Sequence, residues 1–478
     1  MLLLGASLIL ILSCLMSKFL YRFGVPTLVI FIAIGMFLGY DGPGNIYFDD
    51  AHLAMEISDF ALAMIIFFGG FGLNWDKAKT SAKSATALSV IGLLITAFTI
   101  GTFISLVFKV DFFYAMILGS VISSTDAAAV FSILNSKKLN LKNNMSHLLE
   151  MESGSNDPIA YMLTIIFLTL VQGEKMNIPF ELFMQIVVGV IIGVVVAKVG
   201  VIIINRIDLE AEGLYSILML GFVILSFALA HQLGGNQFLS VYLTGIIFGN
   251  TKIVHKFSLL KYFDGISWLM QLLLFFTLGL LVFPSQLPSV TMDGIIIALF
   301  LTFIARPLGV FLTLMFTKYS IKEKLMISWG GFRGAASIVF ATYALNANID
   351  GADWIFNIVF IVALLSVIFQ GSLFVPIAKK LDVIADESNL QVRRIYDEAG
   401  TISADLLEIN ISDDSIVANK EIIDIDLPDD ILVIMIKRGG RVITPNGNTK
   451  VLEGDDMLFA GDKVALGKLK ESFKKKNI

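Results

Sequence analysis

The chain has 478 residues, of which 56% are hydrophobic and only 16% are charged, whereas soluble proteins carry about 25% charged residues. This composition excludes an ordinary cytosolic enzyme and a disordered protein, and the net charge of −5 excludes a basic nucleic-acid-binding protein. One cysteine and four scattered histidines provide no disulfide framework and no metal cluster, so the sequence predicts a membrane protein without a bound cofactor.

Thirteen apolar runs are candidates for transmembrane helices, because a helix needs about 20 apolar residues to cross the hydrocarbon core. The ninth run is short and allows a tilted or partly re-entrant interpretation. The first run has no basic region before it and no cleavage motif, so we expect a retained helix and not a signal peptide. The runs are residues 1–17, 24–40, 53–73, 84–108, 112–135, 147–171, 180–204, 214–233, 236–250, 263–283, 291–317, 325–346 and 354–378.

Positive charge alternates between the loops that join these runs. Every second loop carries Lys or Arg, as at Lys18, Lys77 and Lys137, whereas the intervening loops together hold only Lys109 and Lys175. Basic residues concentrate on the cytoplasmic side of a membrane. The sequence therefore predicts a multi-pass protein of the inner or plasma membrane, with its N-terminus outside and its C-terminal segment in the cytoplasm.

An odd number of spans allows two inverted six-helix repeats joined by the seventh helix, as in secondary transporters. The fifth and twelfth helices would then be symmetry mates, and both contain helix-weakening residues in mid-span: hydroxyls before Asp126, and three glycines around Arg333. Each glycine weakens a helix by about 1 kcal/mol. We therefore expect two crossed, discontinuous helices whose exposed dipole ends face Asp126 and Arg333; the alternative is a pair of small-residue packing helices with a structural salt bridge.

The sixth helix carries the most informative residues. A charge at the bilayer centre costs at least about 2.5–3.5 kcal/mol and is functional by default. Ser153, Asn156 and Asp157 share one helical face and offer a hydroxyl, an amide oxygen and a carboxylate, a set suited to a monovalent cation. Pro158 predicts a kink and a loss of helical geometry at Asp157. One buried acid that holds either a proton or a cation is sufficient for exchange.

Two arginines also fall inside the spans, Arg306 in the eleventh and Arg333 in the twelfth. A buried guanidinium requires a carboxylate, and Glu152 is the natural partner. The sequence leaves open which arginine it pairs with. We interpret Glu152 as a structural ion-pair member, which leaves Asp157 as the exchanging acid.

These residues form motifs that resemble the monovalent cation:proton antiporter-1 family: Ser-Thr-Asp at 124–126, Glu-Ser-x-x-Asn-Asp-Pro at 152–158 and Gly-Phe-Arg-Gly-Ala at 331–335. The resemblance covers roughly residues 1–380. It implies an all-α membrane domain that forms homodimers and moves a core bundle in elevator fashion.

The same resemblance implies roles for individual residues. Asp157 would exchange protons for Na⁺ or K⁺, with Asn156, Ser153 and Thr125 near the ion. Supporting charges would come from Asp126 and from Glu152 with Arg306 or Arg333. Electrogenic relatives have two adjacent aspartates where this chain has Asn156 and Asp157, so the resemblance favours electroneutral exchange of one cation for one proton. Some relatives carry a further acid in the third helix, and none occurs at 67–70 here.

After residue 380 the composition changes, and we divide the chain into a transmembrane domain (1–380), a linker (381–400) and a cytoplasmic domain (401–478). Alternating runs predict strands at 406–411, 431–436, 441–444 and 457–460. Asn446-Gly447 predicts a hairpin, and a basic helix is expected from 463 to 476. The domain is thus a small α+β module.

This module resembles the C-terminal ligand-sensing subdomain (RCK_C, or TrkA-C) of potassium-conductance regulators. That resemblance implies dimerisation, favours K⁺ over Na⁺, and makes cyclic di-adenylate one possible effector in the dimer cleft. Another ligand, or purely structural dimerisation, stays open.

Together these features favour an electroneutral K⁺/H⁺ or Na⁺/H⁺ antiporter regulated by its tail. A gated cation channel is the first alternative, but the spans show no continuous polar stripe and no carbonyl filter. An organic-anion symporter would need free cationic groups, whereas the membrane acids outnumber the arginines. A sensor that no longer transports is the third alternative.

Overall fold

The computed structural model describes residues 27–126, 141–385 and 390–396, most of 403–461, and scattered positions before residue 16 and after residue 464. The chain divides into two compact units. The membrane unit contains residues 1–253 and 258–385, and the tail unit contains residues 254–257 and 386–478. The domain limits expected from composition, 380 and 400, stay a prediction.

The membrane unit is mostly helical. Among the described residues, eight helices are long and apolar enough to cross a membrane, and shorter apolar helices accompany them. The principal helices are α1 (Thr27–Leu38), α2 (Ala51–Gly72), α3 (Ala82–Phe108), α4 (Phe112–Val121), α5 (Met145–Val171), α6 (Ile178–Arg206), α7 (Glu212–Gln232), α8 (Gln237–Asn250), α9 (Lys256–Leu281), α10 (Leu287–Thr313), α11 (Ile321–Trp329), α12 (Ala335–Asn346) and α13 (Ala352–Lys380).

Every predicted run from 24–40 onward overlaps at least one of these helices, because the length of an apolar run is the strongest signal of a membrane span. The run at 1–17 and the second half of the run at 112–135 lie almost entirely outside the described residues. The count of thirteen spans and the inverted repeats therefore stay predictions.

Helix α5 continues through Pro158 and keeps Asp157 in helical geometry, so the expected loss of helix at Asp157 is wrong. A proline removes only one helical hydrogen bond, and the remaining turns of this 27-residue helix continue on both sides. The carbonyl of Pro158 also has a hydrogen-bond partner, since Asn236 Nδ2 donates to it at 2.7 Å.

Helices α10 and α13 each contain one π-helical turn, at Leu301–Ala305 and Ser366–Gln370. Such turns widen a helix locally and often occur at functional sites. Both turns lie in the middle of a span.

The segment that opens α5 is bonded to the segment that follows α13. Lys142 N donates to Val383 O at 2.9 Å, the Lys142 ammonium lies 3.2 Å from Asp382 Oδ2, and Leu141 forms an isolated antiparallel bridge with Ile384. The end of the last membrane helix is thereby joined to the start of the helix that carries Asp157.

The tail unit contains an antiparallel five-stranded sheet in the order β1-β2-β5-β3-β4. Alternate residues such as Leu407, Ile436 and Phe459 are fully buried in its core. The strands are β1 (Leu390–Tyr396), β2 (Ser403–Asn410), β3 (Ile431–Arg438), β4 (Arg441–Ile443) and β5 (Asp456–Gly461).

Strand β1 lies inside the predicted linker and pairs with β2 along its whole length, although Arg393 and Arg394 interrupt its apolar alternation in the sequence. One expectation for this region is wrong. The hairpin is formed at Arg438–Arg441 between β3 and β4 and not at Asn446-Gly447.

Asn446 does form a turn, since Thr449 N donates to its carbonyl at 2.9 Å and Asn448 N to its side-chain oxygen at 3.1 Å. The strands on either side of this turn pair with other strands, so the local signal predicted the turn correctly but not the partners. The expected helix at 463–476 lies largely outside the described residues.

Candidate functional site

The end of α4 and the gap between α11 and α12 meet at one point. Helix α4 ends at Val121, and serine hydroxyls bond to carbonyls of its last turns: Ser120 Oγ donates to Met116 O at 2.7 Å and Ser123 Oγ to Ser120 O at 2.6 Å. Helices α11 and α12 are separated by non-helical residues 331–334. The two non-helical stretches are joined by a backbone hydrogen bond of 2.8 Å from Asp126 N to Phe332 O.

Glycine is required where these stretches touch. A Cβ at Gly334 would lie 1.7 Å from Asp126 Oδ2, so no side chain fits there. The same carboxylate oxygen accepts a long hydrogen bond of 3.4 Å from Ala335 N, in the first turn of α12. Asp126 thus faces the positive end of a helix dipole, as its sign predicts.

Asp157 projects from α5 toward the place where residues 124–126 and 331–334 meet, and it is buried, with 4% exposure. Ser124 Oγ donates a short hydrogen bond to Asp157 Oδ1. Among the residues that the structure describes, Asp157 has no basic partner within ion-pair distance. Within the described residues, its carboxylate is therefore held by a hydroxyl and not by a fixed cation.

The other three predicted ion-site residues interlock beside it. Thr125 Oγ1 lies 2.9 Å from Ser153 Oγ, Thr125 N donates to Asn156 Oδ1 at 3.4 Å, and Asn156 Nδ2 donates to Thr125 Oγ1. All three side chains are buried. The structure thus brings Thr125, Ser153, Asn156 and Asp157 together, with one carboxylate among neutral oxygens.

This donor set has a defined chemical preference. Oxygen ligands suit hard cations, and no group of three or more acidic, histidine or cysteine side chains capable of holding a metal occurs in the described part of the chain. A single negative charge matches one monovalent cation or one proton.

Glu152 lies five residues before Asp157 on α5 and pairs with Arg306. Arg306 Nη2 donates to Glu152 Oε2 at 2.8 Å, and Nη1 lies 2.6 Å from Oε1, a charge contact outside hydrogen-bond geometry. Both side chains are at most 3% exposed. The sequence left open which arginine pairs with Glu152, and in the structure it is Arg306.

Arg333 lies just after the carboxyl end of α11, where the helix dipole is negative. Its backbone N–H donates to Ser366 Oγ at 2.8 Å, and the residue is 1% exposed. Within the described residues, none of its guanidinium nitrogens has a hydrogen-bond acceptor.

The sequence analysis missed two residues. Ser124, which contacts Asp157, was signalled by the hydroxyl cluster but was not singled out. Asp59 on α2 accepts a short hydrogen bond from Tyr343 Oη, and its other oxygen is buried without a partner among the described residues. The Tyr343 ring lies 5.6 Å from that of Tyr161, one turn beyond Asp157. The sequence signal for Asp59 was its position as an acid inside the apolar run 53–73.

Comparisons with known proteins identify the family of the chain. The family described as "Sodium/hydrogen exchanger, transmembrane" matches residues 6–380, and the TrkA-C domain matches residues 406–474. A K(+)/H(+) antiporter NhaP2 of Shewanella oneidensis is 32% identical, covering 96% of this chain and 81% of its own length. The K(+)/H(+) antiporter NhaP of Alkalimonas amylolytica is also 32% identical, covering 89% and 75%.

A solved structure is similar as well. The sodium proton antiporter MjNhaP1 from Methanocaldococcus jannaschii superposes with a TM-score of 0.70 at 25% identity, covering 78% of this chain and 97% of that one. The likeness therefore extends over nearly all of that antiporter.

Proposed function

The chain belongs to the sodium/hydrogen exchanger family, and we propose that it is an antiporter exchanging one monovalent cation, K⁺ in preference to Na⁺, for one proton across the membrane. The membrane helices carry the exchange, and the TrkA-C domain regulates it. One observation supports this most directly: the Asp157 carboxylate lies buried beside neutral oxygens, and among the described residues no basic side chain lies within ion-pair distance of it.

The chemistry follows from that environment. A buried carboxylate cannot keep its charge uncompensated, so the empty, deprotonated site is disfavoured. Binding of a cation releases the proton from Asp157, and binding of a proton releases the cation. Exchange results because the site crosses the membrane in either loaded state but not when empty.

Asn156 supports the one-for-one stoichiometry. The amide contributes an oxygen and a hydrogen-bond donor to the site but no second titrating group. One site charge therefore carries one K⁺ in one direction and one H⁺ in the other, and no net charge moves.

The preference for K⁺ is supported by the relatives named K(+)/H(+) antiporters and by the TrkA-C match. Both cations use the same oxygen ligands, so the size of the loaded site decides between them. Because the chain belongs to this family, we also propose that it forms homodimers, that its tail is cytoplasmic, and that the helices around the ion site move in elevator fashion.

The tail proposal concerns regulation. Because β1 at Leu390–Tyr396 belongs to the tail sheet, the regulatory unit begins well before residue 401. Cyclic di-adenylate is the first effector to test, in a cleft between two copies of the tail.

Reconstituted protein tests the exchange. Proteoliposomes containing a pH-sensitive dye should acidify or alkalise when a K⁺ gradient is imposed, at a rate that does not change when the membrane potential is clamped. Asp157→Asn should reduce this rate to that of protein-free liposomes. Full exchange by Asp157→Asn would show that Asp157 is not the exchanging acid. A faster rate when the membrane potential is clamped would show that exchange moves net charge and is not one-for-one.

Truncation tests the tail. Residues 382–384 bond to the start of α5, so a chain ending at residue 385 keeps these contacts, whereas one ending at residue 380 loses them. Exchange by the 385 truncation should continue and lose its response to the effector. If the response survives, the tail is not the regulatory unit.

A further inference from the structure

Asp59 on α2 is a membrane acid that the exchange chemistry at Asp157 does not use. Oδ2 of its carboxylate accepts the short hydrogen bond from Tyr343 Oη, and Oδ1 is buried without a partner in the described part of the chain. Burial of an ionised carboxylate with an unsatisfied oxygen is costly. The arrangement around Asp59 therefore favours the neutral, proton-bearing acid.

Asp59 lies beyond Asp157 as seen from residue 385, where the membrane unit ends. Helix α5 begins next to residues 382–384 and reaches first Asp157 and then Tyr161. The ring of Tyr161 lies 5.6 Å from that of Tyr343, which donates to Asp59. Asp59, Tyr161 and Tyr343 thus form one layer on the far side of the ion site, and we call it the far layer.

The bond between Tyr343 and Asp59 joins two separately stabilised groups of helices. Asp59 belongs to α2, which is held to α8 where Asn250 Nδ2 donates to Leu73 O at 3.0 Å. Tyr343 belongs to α12, whose first turn is bonded to Asp126 at the ion site. The bond in the far layer therefore holds α2 against the helices that carry the ion site.

A second bond joins the same two groups. Asn236 precedes α8 and is fully buried, and its Nδ2 donates at 2.7 Å to the carbonyl of Pro158, the residue after Asp157. Its side-chain oxygen caps α8 by accepting from Leu239 N, and its backbone N–H donates to Gln185 O on α6. Asn236 thus attaches the start of α8 to the helix that carries the exchanging acid.

Helices α2 and α8 run parallel, which places both bonds at one depth. A Cβ at Gly245 would lie 2.4 Å from Phe67 O, and one at Gly249, a turn further on, would lie 2.3 Å from Phe71 O. The same offset carried back along both helices places Asp59 level with the first turn of α8. The acid and the start of α8 therefore close the far layer together.

The charged groups around the far layer do not compensate Asp59. Glu56 precedes it on the same helix and is exposed, and Glu181 on α6 is a second acid whose charge acts on this layer. His231 at the end of α7 is exposed, and α8, α12 and the part of α5 beyond Asp157 carry no charged residue. In the part of the chain that the structure describes, no basic side chain lies within ion-pair distance of Asp59.

We propose that Asp59 is a second proton-binding residue of the exchange cycle. It binds a proton from the far side when the far layer closes, as in this structure, and releases that proton to water on the same side when Asp59 and Tyr343 separate. The proton returns to the side from which it came, so the one-for-one exchange at Asp157 is unchanged. This role rests on the proposed exchange and makes opening of the far layer depend on the pH of the far side.

The direction of the pH effect follows from the burial of the carboxylate. In acid, Asp59 stays protonated and the closed layer is stable. In alkali, the carboxylate ionises and is solvated only when the layer opens. One titrating group changes the ratio of open to closed molecules by at most about tenfold per pH unit.

Hydrogen–deuterium exchange of the full chain in nanodiscs measures this opening without requiring transport. Mass spectrometry follows peptides from 51–60 on α2 and from 335–346 on α12, with labelling times scaled for the intrinsic effect of pH. In the wild type both peptides should be more protected in acid than in alkali. Asp59→Asn should be protected equally in both, because it cannot ionise, and Asp59→Glu should restore the pH dependence.

Matched variants separate the bond from the fold. Tyr343→Phe removes the donor and should increase opening in acid about fivefold, as expected for loss of one hydrogen bond. Tyr114→Phe removes a hydroxyl that donates to Gly351 O and should leave opening unchanged. Glu56→Gln, at an exposed position, should keep the pH dependence. Thermal unfolding of each variant reports its folding.

The outcomes separate this role from the exchange itself. A pH dependence that survives in Asp59→Asn would show that another group binds the proton, and equal opening of Tyr343→Phe and wild type would show that the bond does not close the layer. Either result overturns the proposal. A wild type that exchanges K⁺ for H⁺ but shows no pH dependence of opening also overturns it and leaves the proposed function intact. A wild type whose opening depends on pH but that exchanges no cation would refute the proposed function instead.

Discussion

Two acids on helix α5 lie in opposite electrostatic environments. Glu152 is 1% exposed and contacts the guanidinium of Arg306 through both carboxylate oxygens, whereas Asp157 is 4% exposed and contacts the hydroxyl of Ser124. Burial is nearly the same, so burial alone does not identify the transporting acid. The difference is the fixed countercharge, which Glu152 has and Asp157 lacks.

The comparison gives a rule for this protein. A carboxylate with a permanent basic partner has its charge balanced within the fold, and removing one partner leaves the other unbalanced. A carboxylate surrounded by neutral donors must take its positive charge from solution, as H⁺ or as a metal cation. Four comparisons test this rule, beginning with the one whose expected effect is largest.

The largest contrast is in stability. Glu152→Gln leaves Arg306 buried without an anion and should lower the free energy of unfolding by about 3–5 kcal/mol. Asp157→Asn removes an unpaired charge and should leave stability unchanged or higher. Thermal unfolding of the two purified variants measures the difference.

A double replacement serves as the control for that contrast. Glu152→Leu with Arg306→Met removes both charges and should recover most of the stability, since apolar pairs often replace buried ion pairs without loss. If Glu152→Gln is as stable as wild type, the pair does not have the role assigned to it.

The second effect concerns the donor to Asp157. Ser124→Ala removes a hydrogen bond that favours the ionised carboxylate, so the cation should compete less well with the proton. The K⁺ concentration for half-maximal exchange should rise about tenfold, the equivalent of roughly 1.4 kcal/mol. Ser123→Ala is the matched control, because that hydroxyl donates to a backbone carbonyl; equal effects of the two variants would contradict the assignment.

Asp59 extends the comparison to a third membrane acid. Like Asp157 it contacts a neutral hydroxyl, that of Tyr343, and it should influence proton access without holding the transported cation. Asp59→Asn should slow exchange roughly two- to fivefold, about 0.4–1 kcal/mol in the barrier. Exchange rates across a pH series measure this, and Glu56→Gln, at an exposed position on α2, should have a smaller effect than Asp59→Asn. Complete loss of exchange in Asp59→Asn would place this acid in the ion site.

The last comparison is in the tail, where Asp455, which is fully buried, pairs with Arg438, which is 34% exposed. Burial alone would raise the pKa of Asp455, but hydrogen bonds from Arg438 and from Leu452 N outweigh it and lower the pKa below its ordinary value. The stabilisation is therefore complete above the ordinary carboxyl pKa of about 4 and is lost as the pH falls through the lower, folded-state pKa.

Asp455→Asn should cost about 1 kcal/mol, because Arg438 is 34% exposed, and the cost should disappear in acid. Hydrogen exchange at residues 431–461 in the full chain, compared at neutral and low pH, measures it. A loss as large as that of Glu152→Gln would show that solvent access does not distinguish the two pairs.

The sequence predicted what depends on local pattern. Apolar length located the helices, and the three glycines around Arg333 located the break between α11 and α12. The choice of Arg306 for Glu152 depends on how helices 154 residues apart rotate against each other, which no local pattern contains.

Other failures have specific physical reasons. Strand β1 was hidden because Arg393 and Arg394 interrupt its apolar alternation. Asp59 was missed because its partner, Tyr343, lies 284 residues away in the chain, a contact that no local pattern contains. The role of Pro158 was overestimated because neighbouring packing and continuing helical hydrogen bonds compensate for one missing donor.

The contact between residues 141–142 and 382–384 has a mechanical consequence. The chain leaves the membrane unit at residue 385, immediately after the bond from Lys142 N to Val383 O. Tension applied to that exit therefore pulls on the segment just before α5 as well as on the end of α13. Asn143 and Asn144, both left-handed, join that segment to α5, and from Met145 to Asp157 the helix runs about 18 Å at 1.5 Å per residue. A displacement of the exit can therefore tilt this rod about its asparagine joint without unfolding a turn.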